Sequence, residues 1–269
     1  MSRDFTLAKY TELLQGLKAG GYRFITFEQY CTDKDSLGEA RFVILRHDVD
    51  LKAANSLATA RIEHALDIQA SYYFRVVEQS NQPEVIKDIV ALGHEIGYHY
   101  EDLALTHGNM EKAIAHFEQS LEYFRQFYPV TTICMHGSPT SRYDARDLWK
   151  KYDFHDYKLL GEPYFSLDFA AVMYLTDTGR CWDGFKVNVR DKMPEQMAKW
   201  VEDGITFHTT EQLINWLHNA PAAKLPNLML TTHPQRWTDN RWAWWKELVA
   251  QNLKNIVKRI VVILKSSNS

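Results

Sequence analysis

The sequence predicts an α/β domain built on a parallel sheet or barrel, and three observations lead there. Apolar runs alternate with segments of helical spacing along most of the chain, the pattern of repeated strand–helix units. Arg41-Phe42-Val43-Ile44-Leu45 runs straight into the polar island Arg46-His47-Asp48-Val49-Asp50. Ile89-Val90-Ala91-Leu92 leads likewise into Gly93-His94-Glu95-Ile96-Gly97-Tyr98-His99-Tyr100-Glu101. Charged groups at the end of a buried strand are costly unless they are paired, hydrated or bound to a metal. An α/β enzyme gathers metal ligands at one rim in this way, so the islands point to a metal-dependent hydrolase.

From Thr6 to Lys18, residues Leu7, Tyr10, Leu13, Leu14 and Leu17 fall at helical spacing, and Gly20-Gly21 closes that helix. Phe24 to Phe27 reads as a short strand and Phe42 to Leu45 as a fully buried one. A helix follows from Ala53 to Leu66. Gln69 to Val77, aromatic and β-branched, reads as a strand. Pro83 to Leu92 is a helix with proline in its first turn. Glu95 to Tyr100 is a strand, Asn109 to Phe127 a long helix, and Val130 to Met135 a strand ending in the loop His136-Gly137-Ser138-Pro139.

Beyond Ser141 the pattern is less regular. A helix is expected over Ala145 to Tyr152, then an aromatic segment from Tyr164 to Tyr174. A strand from Ala171 to Leu175 leads into the polar turn Thr176-Asp177-Thr178-Gly179-Arg180. Thr209-Thr210-Glu211 opens a helix to Leu217, and Asn227 to Thr231 is the last strand, ending in Thr232-His233-Pro234-Gln235-Arg236-Trp237. Trp242 to Leu264 is a long terminal helix. With no repeat, low-complexity tract or linker, residues 1–269 are expected to form one domain.

Composition narrows the function. A 45% apolar share of 269 residues supplies a full-sized core. The net charge of -3, with both signs mixed, offers no nucleic-acid footprint. No apolar run is long enough to span a membrane. The first residues, Met1-Ser2-Arg3-Asp4-Phe5-Thr6, carry no apolar signal region, and Cys31, Cys134 and Cys181 show neither metal-finger spacing nor a disulfide framework. A reducing cytoplasm is the expected setting.

Asp48 and Asp50, two apart, would face the same side of a strand. One carboxylate can ligate a cation and leave the other as general base; the plainer alternative is a turn in which one Asp caps the next helix. His94 and His99, five apart, fall on opposite faces. His99 is nearer the rim where parallel sheets keep their sites, and His94 is expected to be structural or at the surface. His136 also follows a strand, as ligand, transition-state donor or loop-shaping residue. His233 ends the last strand and is a candidate general acid or a hydrogen-bonding group at the barrel mouth. Cys134 reads as core. Arg180 can bind a carboxylate or phosphate, or pair with Asp177. Trp237, Trp242, Trp244 and Trp245 could line a sugar site, although packing on the barrel is the expectation for most of them. In the tail, Ile256, Val257, Ile260, Val261 and Leu264 make an apolar face among Lys254, Lys258 and Arg259. Docking on the domain is expected there, with membrane-surface binding the alternative.

At these residues the chain resembles the polysaccharide deacetylase family (NodB-homology, carbohydrate esterase 4), in a divergent Asp-x-Asp form. Phe42 to Asp50 resembles its first motif, in which the first Asp is the base and the second a metal ligand. Leu45 to Asp50 and Ile68 to Phe74 are especially similar to the branch that deformylates undecaprenyl-linked aminoarabinose. Gly93 to His99 resembles the second motif, written HEIG-x-H. Leu230-Thr231-Thr232-His233 resembles the final Leu-x-His motif with one extra residue. The resemblance runs from about Arg41 to Trp237. It implies a distorted seven-stranded (β/α) barrel. It also implies a divalent metal, usually zinc, held by an Asp and two His, with a metal-bound water attacking an N- or O-acyl carbonyl.

The chain departs from that pattern in two places. The position of the second metal histidine holds Leu103, and the third motif, which usually supplies an Arg and a Pro, reads His136-Gly137-Ser138-Pro139. Catalytic zinc normally takes three protein ligands. His136 is the first substitute beside Asp50 and His99, with Glu101 and His107 as weaker candidates. The expected activity is hydrolysis of an N- or O-acyl group on an acylated amino sugar or sugar-containing precursor. Asp48 is then the base, His233 the acid, and Arg180, Trp182 and Trp237 the substrate contacts. Two other readings stay open: an inactive barrel that binds a glycan or biosynthetic partner, which Leu103 favours, and a hydrolase of a non-sugar amide.

Overall fold

The computed structural model describes residues 3–33, 37–38, 40–137, 141–183 and 200–266, with side chains as far as Ile256. Seven parallel strands form one curled sheet: β1 (Arg23–Ile25), β2 (Phe42–Val49), β3 (Ser71–Phe74), β4 (Glu95–Tyr100), β5 (Ile133–Met135), β6 (Val172–Thr176) and β7 (Asn227–Thr232). Their order is β5-β4-β3-β2-β7-β6. β2 is the centre. β7 lines one edge from Val43 to His47, while β1 and then β3 share the other, with Ile25 opposite Ile44 and Arg46 opposite Ser71.

Of the expected distorted seven-stranded (β/α) barrel, the seven parallel strands are present, but the barrel is an open half-barrel in which β5 and β6 do not pair. The chain between them forms the 3₁₀ turns Ala145–Lys150 and Phe154–Tyr157 and a short helix, Pro163–Ser166, in place of a strand. At the free edge of β5 it supplies a single bridge: Leu160 N–H donates to Thr131 O at 2.7 Å, and Ile133 N–H to Gly161 O at 3.1 Å. The expected helix over Ala145 to Tyr152 is thus the first of those turns.

The helices are α1 (Leu7–Ala19), α2 (Phe27–Asp33), α3 (Ala53–Ala65), α4 (Pro83–Ala91), α5 (Asp102–Leu105), α6 (Met110–Arg125), α7 (Pro163–Ser166), α8 (Thr210–Asn219) and α9 (Arg241–Ser266). Local chemistry sets their starts. Thr6 and Asn109 accept N–H bonds from the first turns of α1 and α6, and Thr209 with Gln212 closes a capping box on α8. The expected apolar face at Val257, Ile260, Val261 and Leu264 lies outside the described side chains, as Ser138 and Pro139 lie outside the described residues.

Residues alternate between the two faces of each strand. Val43, Leu45 and Val49 join the large core between sheet and helices, while Phe42 and Ile44 join a smaller core on the inner face with Tyr73, Cys134, Tyr174 and Met229. Gly97 makes room for that inner core, since a Cβ there would lie 2.3 Å from the Tyr73 ring. On the outer face the buried carboxylate of Glu63 binds His47 Nε2 at 2.6 Å and the Tyr72 hydroxyl at 2.7 Å, tying α3 to β2 and β3. His94 is buried there too: Nδ1 accepts from Ala70 N–H at 3.2 Å and Nε2 donates to Ala60 O at 3.0 Å. Further along the inner face of β2 the apolar column gives way to Arg46 and Asp48, at the carboxyl ends of the strands, where open α/β sheets place their sites.

Candidate metal centre

Asp48 is the last inward-facing residue of β2 and is buried. Arg46 precedes it on the same face and forks it, with Nε donating to Oδ1 at 2.8 Å and Nη2 to Oδ2 at 2.7 Å. Burial favours the neutral acid, but the charges of Arg46 and His99 outweigh it and hold the Asp48 carboxyl below its ordinary range.

Asp50 lies just past the strand. Its N–H turns back to Asp48 O at 3.0 Å, and this tight turn carries the side chain over the site. Asp50 does not cap α3, whose N-cap is Lys52. Its Oδ1 lies 3.5 Å from His99 Nε2 and 3.5 Å from His136 Nε2, and its Oδ2 3.8 Å from His233 Nε2. Burial opposes its ionisation, yet His99, His136 and His233 together hold Asp50 well below the carboxylate range.

The three imidazoles are turned the same way. His99 Nδ1 donates to the carbonyl of Cys134 at 3.0 Å. His136 Nδ1 binds Glu101 Oε2 at 2.7 Å, and His233 Nδ1 binds Asp177 Oδ1 at 2.6 Å. A carbonyl or carboxylate oxygen only accepts, so each ring donates from Nδ1 and turns Nε2 toward Asp50. A second carboxylate or carbonyl behind a histidine is the ordinary support of a metal-ligating imidazole.

The ligand atoms of Asp50, His99 and His136 lie within 4.8 Å of one another. Asp50 Oδ1 is buried without a hydrogen-bond partner, its neighbours being two imidazole nitrogens at 3.5 Å. One carboxylate and two imidazoles are a common donor set for zinc. A buried carboxylate oxygen with no hydrogen-bond partner is costly unless a positive charge lies beside it, and a cation bound between Asp50 and the two imidazoles would supply one. The residues therefore fit a divalent metal.

The remaining candidates stand elsewhere. Leu103 packs in the outer core. Glu101 stands behind His136, its other oxygen held by Arg75 Nε at 2.8 Å, and these two partners overcome burial to bring its pKa down to about 2. His107 is exposed, in the turn after α5, away from the cluster. Cys134 is in the inner core, with Asp48 and His99 in reach of its thiol. Trp182, Trp237 and Arg180 are buried, and their polar atoms are used within the protein: Trp182 Nε1 on Thr210 Oγ1 at 3.1 Å, Trp237 Nε1 on Asp177 Oδ2 at 2.9 Å. The Arg180 guanidinium lies 5.0 Å from both the Phe5 and the Trp244 ring and donates to Arg236 O at 3.4 Å. These three were expected to contact substrate. Trp237 reaches the His233 side of the site through Asp177, and Arg180 through the carbonyl of Arg236.

Asp177 pairs with Arg236, not with the Arg180 side chain, and also accepts from His233 N–H and Trp237. Burial opposes its charge, but Arg236 and His233 bring its pKa down to about 2. Arg46, Arg75 and Asp177 are the supporting residues that sequence reasoning missed. The Arg46-x-Asp48 spacing on one strand face was the available signal for the first.

No family model and no curated protein matches the chain. Among solved structures it is similar to a carbohydrate esterase 4 (CE4) family pseudoenzyme from Bacillus anthracis, with a TM-score of 0.36 and 13% identity over 81% of this chain and 61% of that one. A mutant of that pseudoenzyme with restored enzymatic activity gives the same score and identity, over 81% and 63% of the two chains. The chain spans about three-fifths of the length of these neighbours. A likeness this distant carries no argument about activity, and the case for function rests on the site.

Proposed function

We propose that the protein is a metal-dependent hydrolase that removes an N- or O-acyl group from an acylated amino sugar or a sugar-containing precursor. The observation that carries this reading is the convergence of Asp50 Oδ1 with the Nε2 atoms of His99 and His136, with a second carboxylate, Asp48, beside them. Asp50, His99 and His136 would hold the metal, and zinc suits the donors. Bound there, a divalent cation supplies Lewis-acid charge for acyl transfer to water.

The other residues divide the proton work. Asp48, kept ionised by Arg46, accepts the proton that water loses as its oxygen attacks the acyl carbon. His233, held by Asp177 from behind, presents Nε2 to the same space and gives a proton to the departing amine or alcohol as the acyl bond breaks. Asp177 accepts from His233 Nδ1 and fixes the ring in that position. Glu101 and Arg75 fix the His136 ring. The sugar part of the reading rests on the resemblance of the motifs, because Trp182 and Trp237 are buried.

The test is a panel of zinc-loaded assays: N-formyl and N-acetyl amino sugars, an O-acetyl sugar and non-sugar amides. Release of formate or acetate from an amino sugar supports the proposal. Turnover confined to the non-sugar amides moves the substrate class, and no turnover of any member, with metal bound, favours a glycan-binding barrel.

A further inference from the structure

The terminal helix α9 turns its apolar stripe outward. Trp242, Trp245, Val249, Leu253 and Ile256 are 79, 55, 54, 61 and 56% exposed. At 100° per residue these positions fall within about 80° of arc, so they form one continuous strip. The opposite side packs on the domain, and it is the more polar one. Gln251 is buried, Asn255 Nδ2 donates to Gly179 O at 2.9 Å, Glu247 lies 3.6 Å from Lys52, and Trp244 Nε1 donates to Asp4 O at 2.6 Å. A helix docked on a water-soluble domain normally shows the reverse arrangement.

Charge selects the occupant. From Arg241 to Ser266 the sequence holds six Lys and Arg and a single acid, Glu247. Glu247 is turned inward to Lys52, while Arg241, Lys246 and Lys254 are exposed. A second copy of the chain would bring these cations against each other. An anionic lipid surface offers apolar depth for tryptophan and aliphatic side chains, and headgroup charge for lysine and arginine. The helix crosses the same rim as the site, since Gly179 follows β6 and Lys52 follows β2.

We infer that α9 is an interfacial helix that seats the protein on an anionic lipid surface, with Trp242, Trp245 and Leu253 entering the headgroup boundary and Lys246 and Lys254 at the phosphates. None of these residues takes part in the site, so lipid binding and acyl hydrolysis can fail separately.

The experiment is co-sedimentation of the full chain with vesicles of phosphatidylcholine, with and without about 30% phosphatidylglycerol. Wild type should pellet with the anionic vesicles and at least about tenfold more weakly with phosphatidylcholine alone, with binding weakened by added salt. The combined variant Trp242→Ser, Trp245→Ser, Leu253→Ser should lose at least about tenfold in partitioning, as should Lys246→Glu with Lys254→Glu. Both variants should melt as wild type does, because the altered side chains are exposed. Equal binding by the serine variant would overturn the inference. So would absence of vesicle binding, with or without a concentration-dependent dimer that the serine variant abolishes.

Discussion

Arg46 grips Asp48 from the same face of the same strand, through two parallel hydrogen bonds of 2.8 and 2.7 Å. The pair is buried, and the charge of Arg46 is a main reason that Asp48 stays ionised. Lysine cannot reproduce a fork of this geometry. Arg46→Lys should lower kcat/KM by roughly 10- to 100-fold. Losing the fork lets the Asp48 pKa rise, so the acidic limb of the pH–rate profile should move to higher pH. A lowered rate with an unmoved limb would mean that Asp48 is not the group titrating there.

Asp48→Asn removes the base and keeps the shape. Turnover should fall by at least about 10³-fold while metal content stays at the wild-type level. Loss of the metal with the activity would make Asp48 a ligand.

Glu101 holds His136 at Nδ1 and is itself held by Arg75. Glu101→Gln weakens that support without touching a ligand. Metal affinity, measured by competition with a chelator, should fall about 10- to 100-fold. An unchanged affinity would remove His136 from the ligand set or Glu101 from its support.

Glu162 is fully buried under Met135 and Tyr164, whose backbone N–H groups it accepts, and burial pushes its pKa up to about 7. In the unfolded chain a glutamate titrates near pH 4.5. Between these two values the folded state binds the extra proton, so stability falls as pH rises. Glu162→Gln cannot titrate. The stability of wild type relative to this variant should therefore decline by about 3 kcal/mol from about pH 4.5 to pH 8. Denaturant melts at the two ends of that range check it, and a flat difference would mean that Glu162 stays ionised in the fold.

Much of this arrangement was legible in the sequence, for identifiable reasons. Asp48, Asp50, His99, His136 and His233 each end or follow an apolar strand, and parallel strands bring such ends together whatever lies between them. The helices α1, α3, α4, α6, α8 and α9 were found to within a few residues because their caps and apolar spacing are local, whereas the short α2, α5 and α7 were not read. What was not legible depended on partners distant in the chain. Asp177 reads in sequence as a turn residue near Arg180, but the fold gives it Arg236, His233 and Trp237 from the end of β7. Trp182 and Trp237 read as substrate contacts, and their burial could not be seen from the sequence. The distorted barrel stays open because residues 141–171 carry no strand-length alternating run that could join β5 to β6. The short helix α5 places Leu103 in the core and leaves His136, from the next strand, to face Asp50.

The proposed metal site is formed by Asp50, His99 and His136. Elemental analysis of the zinc-reconstituted protein, beside His99→Ala and His136→Ala, tests it most directly. The wild-type chain should hold about one metal and both variants should lose most of it, with melting of the metal-free forms little changed. Full metal retention in His136→Ala, or no metal in the wild type after exposure to zinc, would contradict it.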